Sequence, residues 1–296
     1  MTGATVAQVL HTAATRLAAA GVDTPRADAE WLLAGLLGAR RGDLGLLLSQ
    51  QPDAGLLARY EAAVERRRRR EPLQRILGWE SFRGLCLRLS PDVLVPRPET
   101  EVLVDLALGL LPPPRAGRRP VVVDVGTGSG CVAAAIAAER GDVLVVATDT
   151  AVAALRVARD NARGLGLSRV LPAAVDVLAA VGPGVADLIV SNPPYLPTGL
   201  LAGLAPEVRD HDPRMALDGG DDGLVVLAGL LLEARRVLRP GGGLVVESAG
   251  GDQAETVRRL AEDAGLVDAA VHRDLAGVAR FISARSVWSE APLRVS

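Results

Sequence analysis

The chain has 296 residues with a formal net charge of −2, and 49% of its residues are hydrophobic and 23% charged. These values exclude an intrinsically disordered chain and a polycation that binds nucleic acid through phosphate contacts alone. They allow two domains, or one large domain with an appendage.

The cysteines and the lengths of the apolar segments indicate in which cellular compartment the protein is found. Only Cys86 and Cys131 occur, far apart in the sequence, so neither a disulfide framework nor a metal site is predicted. No apolar stretch is long enough to span a bilayer, and the N-terminus lacks the pattern of a signal peptide. We therefore expect a soluble cytoplasmic protein with no membrane partner.

Residues 1–70 predict a small helical bundle. Apolar residues recur at helical spacing from Val6 to Leu17, again from Ala29 to Leu37, and again from Leu56 to Val64. Thr24 followed by Pro25 is typical of a helix N-cap and a first-turn proline. The run Arg66–Arg70 permits a nucleic-acid interpretation, but a solvated helix end or a general docking role is favoured.

Residues 71–95 predict a connector with a short hairpin around Gly84. The stretch "PRPETE", 96–101, then opens a helix. Arg97 and Glu99 are interpreted either as a salt bridge at this helix start or as part of a lid over a ligand. The proline-rich "PPPRAGRRP", 112–120, predicts a hinge between segments.

After the hinge, apolar runs of strand length alternate with stretches of helix length. Strands are predicted at 121–125, 143–148, 171–175, 186–190, 243–247, 268–273 and 279–285, and helices at 131–139, 151–164, 223–238 and 252–264. This alternation is typical of an α/β fold with a doubly wound parallel sheet.

The turn after the first predicted strand, "VGTGSG", carries Gly126, Gly128 and Gly130. Glycines there permit a tight turn and a close ligand approach, and the absence of a Lys-Ser/Thr ending disfavours a nucleoside triphosphate. Asp149 lies about 20 residues beyond, the spacing at which a carboxylate binds ribose hydroxyls. The alternative for Asp149 is a helix cap. Together these residues predict NAD or S-adenosylmethionine as the cofactor.

The stretch "SNPPYLP", 191–197, follows a buried strand and contains two adjacent prolines. It lies at the carboxyl end of the sheet, where doubly wound proteins bind ligands. A planar NH2 group is a poor nucleophile, and both its N–H groups donate. The side-chain oxygen of Asn192 and the carbonyl of Pro193 are predicted to accept from it, with Pro194 stiffening the turn and Tyr195 covering the planar group. The alternative is a turn without chemistry.

Six stretches carry a resemblance to a known family. They are "PLQRILGWESFRG" (72–84), "VLVPRPETEVLV" (93–104), "VVDVGTGSGCVA" (122–133), "SNPPYLP", "DPRMALDGGDDG" (212–223) and "VLRPGGGLVVE" (237–247), the last with Gln253 following. With them the chain resembles the HemK/PrmC peptide chain release factor glutamine methyltransferases. "PRPETE" distinguishes it from the related ribosomal-protein glutamine methyltransferases.

The resemblance implies a Rossmann-like class I methyltransferase domain with a seven-stranded sheet over 96–296, a release-factor docking domain over 1–70 and a linking hairpin over 71–95. It implies that S-adenosyl-L-methionine binds in this domain. The implied cofactor residues are Gly126, Thr127, Gly128, Ser129, Gly130, Asp149, Val177 and Asn192. Val177 stands beside the adenine, where an aromatic residue is common. The implied catalytic and substrate-binding residues are Asn192, Pro193, Pro194 and Tyr195.

The implied activity is methylation of the glutamine in the Gly-Gly-Gln motif of class 1 release factors, with S-adenosyl-L-homocysteine as product. We expect a monomer with no metal and no stable nucleic-acid partner. One alternative is an adenine amino methyltransferase on DNA or RNA, which would need base extrusion and a basic groove. Another is a non-catalytic cofactor-binding scaffold. His211 is interpreted as a loop residue.

Overall fold

A computed structural model describes residues 3–113 and 117–287. The predicted hinge therefore lies partly outside the described residues, at 114–116, as do the two ends of the predicted domains. Residues group into two compact units, one with Met1–Trp79 and Leu204–His211, the other with Glu80–Gly203 and Asp212–Ser296. The predicted domain boundaries stay predictions. The association of 204–211 with the first unit had no sequence signal.

The first unit contains helices α1 (Val6–Ala19), α2 (Pro25–Leu37), α3 (Ala54–Arg68) and α4 (Leu73–Leu77), a 3-10 helix (Arg41–Leu47), and the short α8 (Pro206–Arg209). Its core is formed by the apolar faces of α1–α3, as the spacing predicts. Thr24 precedes α2, but its side chain does not cap the helix backbone. Its hydroxyl instead donates to Asp28 Oδ1 at 2.7 Å.

The arginine run differs from the favoured expectation at Arg67, whose side chain is only 8% exposed. Its guanidinium donates to Asp28 Oδ2 at 2.7 Å and to Glu207 Oε1 at 2.9 Å. Arg70 also pairs with Glu207, at 2.6 Å. Burial raises the pKa of Glu207, but hydrogen bonds from Arg70 and Arg67 outweigh it and lower that pKa to about 2. Two of these arginines therefore hold segment 204–211 within the first unit rather than facing solvent.

The second unit begins with the predicted hairpin, formed by β1 (Trp79–Phe82) and β2 (Leu85–Arg88), and continues with α5 (Thr100–Leu110). Seven strands of the described chain then form one sheet. They are β3 (Val121–Val125), β4 (Leu144–Asp149), β5 (Val170–Ala174), β6 (Ala186–Ser191), β7 (Leu238–Glu247), β8 (Val267–Arg273) and β9 (Ala279–Arg285). The longer helices between them are α6 (Cys131–Glu139), α7 (Val152–Gly164), α9 (Val225–Val237) and α10 (Asp252–Asp263).

The strand order is β5-β4-β3-β6-β7-β9-β8, with β9 antiparallel to both of its neighbours and the other pairs parallel. The predicted doubly wound α/β fold is confirmed. Alternate residues along each strand face opposite layers: Val122 and Leu188 pack with α5 and α6, while Val123 and Ile189 pack with α9 and α10. Pro172 fits because β5 lies at a sheet edge, where a missing N–H is tolerated.

Strand β7 begins five residues before the predicted start. Leu238 pairs with Ala186, and after a bulge Gly243 pairs with Leu188. The intervening glycines weaken a strand signal in the sequence, but pairing with the buried β6 draws them into the sheet.

The strand order reverses between β3 and β6, which opens a crevice at their carboxyl ends. The register aligns Val125 with Thr148 on one side and with Ser191 on the other, and Ser191 with Val246. Four adjacent strands therefore end at one level: Asp149 and Glu247 are the last residues of β4 and β7, and the glycine loop and Asn192 directly follow β3 and β6.

Candidate active site

A cavity of about 340 Å³ opens at the carboxyl ends of these strands. It is lined by the loop after β3, the end of β4, the segment after β5, the start of the loop after β6, and residues that precede α5. The predicted cofactor residues Gly126, Thr127, Gly128, Ser129, Asp149, Val177 and Asn192 all line it. The sheet thus brings together residues that are spread over nearly 70 positions of sequence.

The glycine loop turns the chain from β3 into α6. Gly126, Gly128 and Gly130 have φ of 71°, 54° and 80°, in the left-handed region that favours glycine. Gly130 does not line the cavity itself, and a Cβ on it would lie 3.0 Å from the Cβ of Ala158 on α7. The absence of a side chain at Gly130 therefore allows close packing of the start of α6 against α7, and its predicted cofactor contact stays a prediction.

Asp149, at the end of β4, contacts both the glycine loop and the residue that precedes α7. Its Oδ1 accepts from the backbone N–H of Ala151, the N-cap residue of α7, at 2.9 Å, and its Oδ2 accepts from Gly128 N–H at 3.0 Å; it does not cap the N–H groups inside the helix. Each carboxylate oxygen has a further lone pair, and the side chain lines the cavity. The two backbone bonds fix the orientation of the carboxylate, and its ribose-binding role stays a prediction.

Asp124 lines the cavity but was not among the residues predicted from the sequence motifs. It is buried at the end of β3 and lines the cavity, and its Oδ2 accepts from Thr127 Oγ1 at 2.6 Å and from the backbone N–H of Ala133 at 3.2 Å. Burial raises its pKa to about 7, with a contribution from the charge of Asp149, against the two hydrogen bonds. Its position within a buried valine run, "VVVDV", was the available signal.

The charge of the cavity distinguishes between the two predicted cofactors. Its lining includes five aspartates: Asp92, Asp124, Asp149, Asp176 and Asp218. Arg97 is the one arginine among the lining residues that the structure describes. A ligand that carries a sulfonium and an ammonium group fits this set, whereas a dinucleotide pyrophosphate would be repelled. The residues present therefore fit S-adenosylmethionine better than NAD.

Val177 has a strained backbone. Its φ is 48°, which is rare for a β-branched residue, and its side chain lines the cavity. Such strain persists where the surroundings determine the conformation, and it is frequent at ligand sites. The place beside the adenine that the family resemblance implies for Val177 stays a prediction.

The loop after β6 places its four predicted residues differently. Of these, all within the described chain, Asn192 and Pro194 line the cavity and Pro193 and Tyr195 do not. Pro193 is buried, and Tyr195 is partly buried against the core beside α9. The Tyr195 hydroxyl donates to Glu247 Oε1 at 3.1 Å. The predicted substrate-covering role of Tyr195 stays a prediction, and its observed contacts hold the loop.

The loop is contacted by three residues that lie outside the stretch "SNPPYLP". Gln253 Nε2 donates to the backbone carbonyl of Tyr195 at 2.9 Å, and Gln253 Oε1 accepts from Ala249 N–H at 2.8 Å. Gly223 passes so close that a Cβ there would lie 2.3 Å from the same carbonyl oxygen. Asn192 Nδ2 donates to Thr100 Oγ1 at 3.2 Å.

Thr100 and Glu247 form a buried pair beside this loop. Thr100 Oγ1 donates to Glu247 Oε2 at 2.9 Å, and both residues are about 1% exposed. Burial raises the pKa of Glu247 to about 7, although hydrogen bonds from Thr100 and Tyr195 and the charge of Arg280 lower it. The loop after β6 is therefore linked, through Tyr195 and Thr100, to a carboxylate whose pKa is raised by burial.

The "PRPETE" stretch, 96–101, contributes residues both to the cavity and to the start of α5. Arg97 lines the cavity and pairs with the buried Asp212 at 2.7 Å, and Glu99 precedes the first residue of α5. The salt-bridge interpretation of Arg97 is therefore met by a partner 115 positions later rather than by Glu99. A lid role stays a prediction.

Two further observations concern the described residues only. Within 3–113 and 117–287, no helix is both long and apolar enough to cross a membrane. Over the same ranges, no group of three or more His, Cys, Asp or Glu side chains is placed to hold a metal ion.

Comparison with protein families gives two matches. Residues 8–78 match the PrmC N-terminal domain, and residues 105–200 match the methyltransferase small domain. Among solved structures, a methyltransferase from Pyrococcus furiosus has a TM-score of 0.51 and 19% identity, over 70% of this chain and 91% of that one. This likeness supports the class I methyltransferase fold.

Curated relatives cover nearly the whole chain. The release factor glutamine methyltransferase of Mycolicibacterium smegmatis is 42% identical over 94% of this chain and 96% of its own length. That of Streptomyces coelicolor is 45% identical over 91% of this chain and 94% of its own. Identity at this level along both domains confirms the resemblance drawn from the motifs, and the chain belongs to the release factor glutamine methyltransferase family.

Proposed function

We propose that this protein transfers a methyl group from S-adenosyl-L-methionine to the side-chain amide nitrogen of the glutamine in the Gly-Gly-Gln motif of class 1 peptide chain release factors. S-adenosyl-L-homocysteine is the second product. The observation that carries the proposal is the position of Asn192, at the cavity and next to the glycine loop through the pairing of β6 with β3. Family membership over the whole chain supports the substrate.

The residues proposed to hold the cofactor are the backbone of Gly126–Ser129 with Gly130 shaping the turn, the carboxylate of Asp149 at the ribose, and Val177 at the adenine. Asp124 adds a negative charge that favours a cationic ligand. When bound, the cofactor supplies an electrophilic methyl group on a sulfonium.

The loop residues act on the amide. Asn192 Oδ1 accepts one N–H of the substrate NH2 group, and the carbonyl of Pro193 is the proposed second acceptor. Fixed acceptors stabilise the positive charge that develops on the nitrogen and orient it toward the methyl group. Pro193 and Pro194 limit relaxation of these acceptors because their φ angles are restricted. No strong base is needed before attack.

The proposed partner is the release factor itself, with the helices of residues 1–70 as the docking region. We propose a monomer that acts in the cytoplasm, where class 1 release factors work. Both cysteines are free thiols, consistent with a reducing compartment. A stable nucleic-acid partner is not proposed, because the arginines of the run 66–70 each pair with a carboxylate.

The test uses labelled S-adenosylmethionine with purified release factor, either wild type or with the motif Gln changed to Glu. We expect label and a mass increase of one methyl on the motif peptide of the wild-type factor only. Label retained on the changed factor would contradict the proposal. Single-stranded DNA and RNA in parallel reactions test the adenine amino methyltransferase alternative.

A further inference from the structure

The orientation of the Asn192 amide is determined by a chain of hydrogen bonds that ends at Glu247. The oxygen and nitrogen of an Asn side chain are assigned from their partners rather than observed, so the partners decide which atom faces the cavity. Asn192 contacts the Thr100 hydroxyl, and that hydroxyl contacts Glu247 Oε2. Whether the Thr100 hydroxyl donates a hydrogen bond to Asn192 or accepts one from it therefore depends on Glu247.

An ionised carboxylate accepts hydrogen bonds and cannot donate. Glu247 accepts from Tyr195 on one oxygen and from Thr100 on the other. The single proton of the Thr100 hydroxyl is thus committed to Glu247, and Thr100 can only accept from Asn192. Asn192 must present its NH2 group to Thr100, which leaves Oδ1 to face the cavity.

From this geometry we infer that ionised Glu247 is a positioning residue for methyl transfer, which acts through Thr100 to hold Asn192 Oδ1 toward the substrate NH2 group. The inference rests on the proposed function and names a residue outside the predicted loop. If Glu247 carries a proton, it can donate to Thr100. The Thr100 hydroxyl is then free to donate to Asn192 Oδ1, and the amide turns its NH2 group toward a substrate that needs an acceptor.

The register of the sheet explains how these distant residues meet. Ser191 on β6 pairs with Val246 on β7, so Asn192 and Glu247 are the next residues on neighbouring parallel strands. Thr100 is the first residue of α5, which packs against β7. Thr100 and Glu247 thereby lie on packed elements, and Asn192 directly follows the buried strand β6.

The proton affinity of Glu247 is set by several groups. The titratable and charged groups around it are Tyr195 after β6, Arg280 on β9, Glu99 before α5 and Cys131 at the start of α6. Burial raises the pKa of Tyr195 and raises that of Cys131 to about 12, so both stay neutral around pH 7. Burial also raises the pKa of Glu247 to about 7, and kcat should therefore fall as the pH decreases through that value.

The experiment compares Glu247→Gln with the wild type. Gln resembles protonated Glu because its amide nitrogen can donate to Thr100. We expect a kcat about 10²-fold lower at saturating cofactor and pH 8, no acid limb in the pH profile, and an unchanged cofactor Kd. Glu255→Gln, on the exposed side of α10, is the matched control and should keep wild-type kcat and pH profile.

Thr100 provides a second pair of variants. Thr100→Ser keeps the hydroxyl and should stay within about threefold of wild-type kcat, whereas Thr100→Val should lose about as much as Glu247→Gln. Because the two residues act in one chain, the double variant should lose no more than either single variant. Additive losses, or equal kcat for Thr100→Ser and Thr100→Val, would overturn the inference.

Hydrogen exchange of the Asn192 side chain can be measured without any methyl transfer, so it tests the role of Glu247 separately from the proposed function. The side-chain NH2 signals of Asn192, assigned by NMR with Asn192→Ala, should be protected from exchange at pH 8 in the wild type and lose protection in Glu247→Gln. Methylation of the release factor by the wild type tests the function alone. Unchanged protection in Glu247→Gln overturns the relay, whatever the protein methylates.

Discussion

The two sides of the cavity are built in different ways. On the cofactor side, the loop after β3 and Asp149 form a unit of short sequence range, held by backbone N–H groups that donate to the Asp149 carboxylate. On the proposed substrate side, the loop after β6 is contacted by residues that are distant in the sequence. It is held by side chains from α5, β7 and the start of α10, namely Thr100, Glu247 and Gln253.

Because the two sides are built from different residues, we expect substitutions to affect either the cofactor Kd or kcat, depending on the side. Changes on the cofactor side alter the charge or shape of the cavity and should appear in the cofactor Kd. Changes on the substrate side displace hydrogen-bond acceptors while leaving the cavity lining of the glycine loop intact, and should appear in kcat. The following substitutions probe whether the two sides are independent.

Asn192→Ala should produce the largest effect. It removes the proposed acceptor for the substrate NH2 group, and loss of one such fixed polar group costs about 10²–10³-fold in kcat. The glycine loop and Asp149 do not depend on the Asn192 side chain, so the cofactor Kd should change by less than about threefold. Calorimetry with the cofactor and single-turnover methylation measure the two quantities. Turnover equal to wild type would reject the amide-clamp mechanism.

Gly223→Ala tests the support of the same loop. Gly223 has a φ of 76°, and an added Cβ would lie 2.3 Å from the Tyr195 carbonyl oxygen, so the loop must move. A shift of about 1 Å in the acceptors should lower kcat by about 10²-fold. Gly199→Ala on the neighbouring segment meets no atom within 4 Å and is the control. A larger change in cofactor Kd than in kcat would show that the two sides are coupled.

Asp124→Asn tests the cofactor side. The wild-type carboxylate has a pKa near 7, because burial raises it, and a cationic ligand binds better to its ionised form. The affinity for S-adenosylmethionine should therefore rise as the pH increases from 6 to 8. The isosteric Asn should weaken binding about tenfold at pH 8 and remove this dependence. A pH series of Kd values checks both, and a persistent dependence in Asp124→Asn would assign it to another group.

Val177→Phe should produce the smallest effect. A ring stacked on the adenine adds about 0.5–1.5 kcal/mol, and Phe lacks the β-branch that makes a φ of 48° costly for Val. We expect a cofactor Kd a few-fold lower with kcat unchanged. Val177→Gly relieves the backbone strain without adding a ring, so equal gains in both variants would assign the effect to strain.

Much of the fold was predictable because its signals are local. Buried parallel strands are continuous apolar runs, and the amphipathic helices between them have a clear period, so most boundaries agree with the structure to within two residues. The exceptions had no local signal. The early start of β7 depends on pairing across a bulge with β6, and the assignment of 204–211 to the helical unit depends on Glu207 pairing with Arg67 and Arg70.

For the site, the sequence by itself determined the residues whose chemistry is local: the glycines with positive φ, the acid at ribose spacing and the proline-stiffened loop that begins with Asn192. Only the tertiary structure decided that Asp124 lines the cavity, that Tyr195 points its hydroxyl at Glu247, and that Thr100 lies between Glu247 and Asn192. The physical reason is that backbone conformation is encoded by neighbouring residues. The direction of a hydrogen bond and the proton affinity of a buried acid depend on partners that only the sheet register brings together.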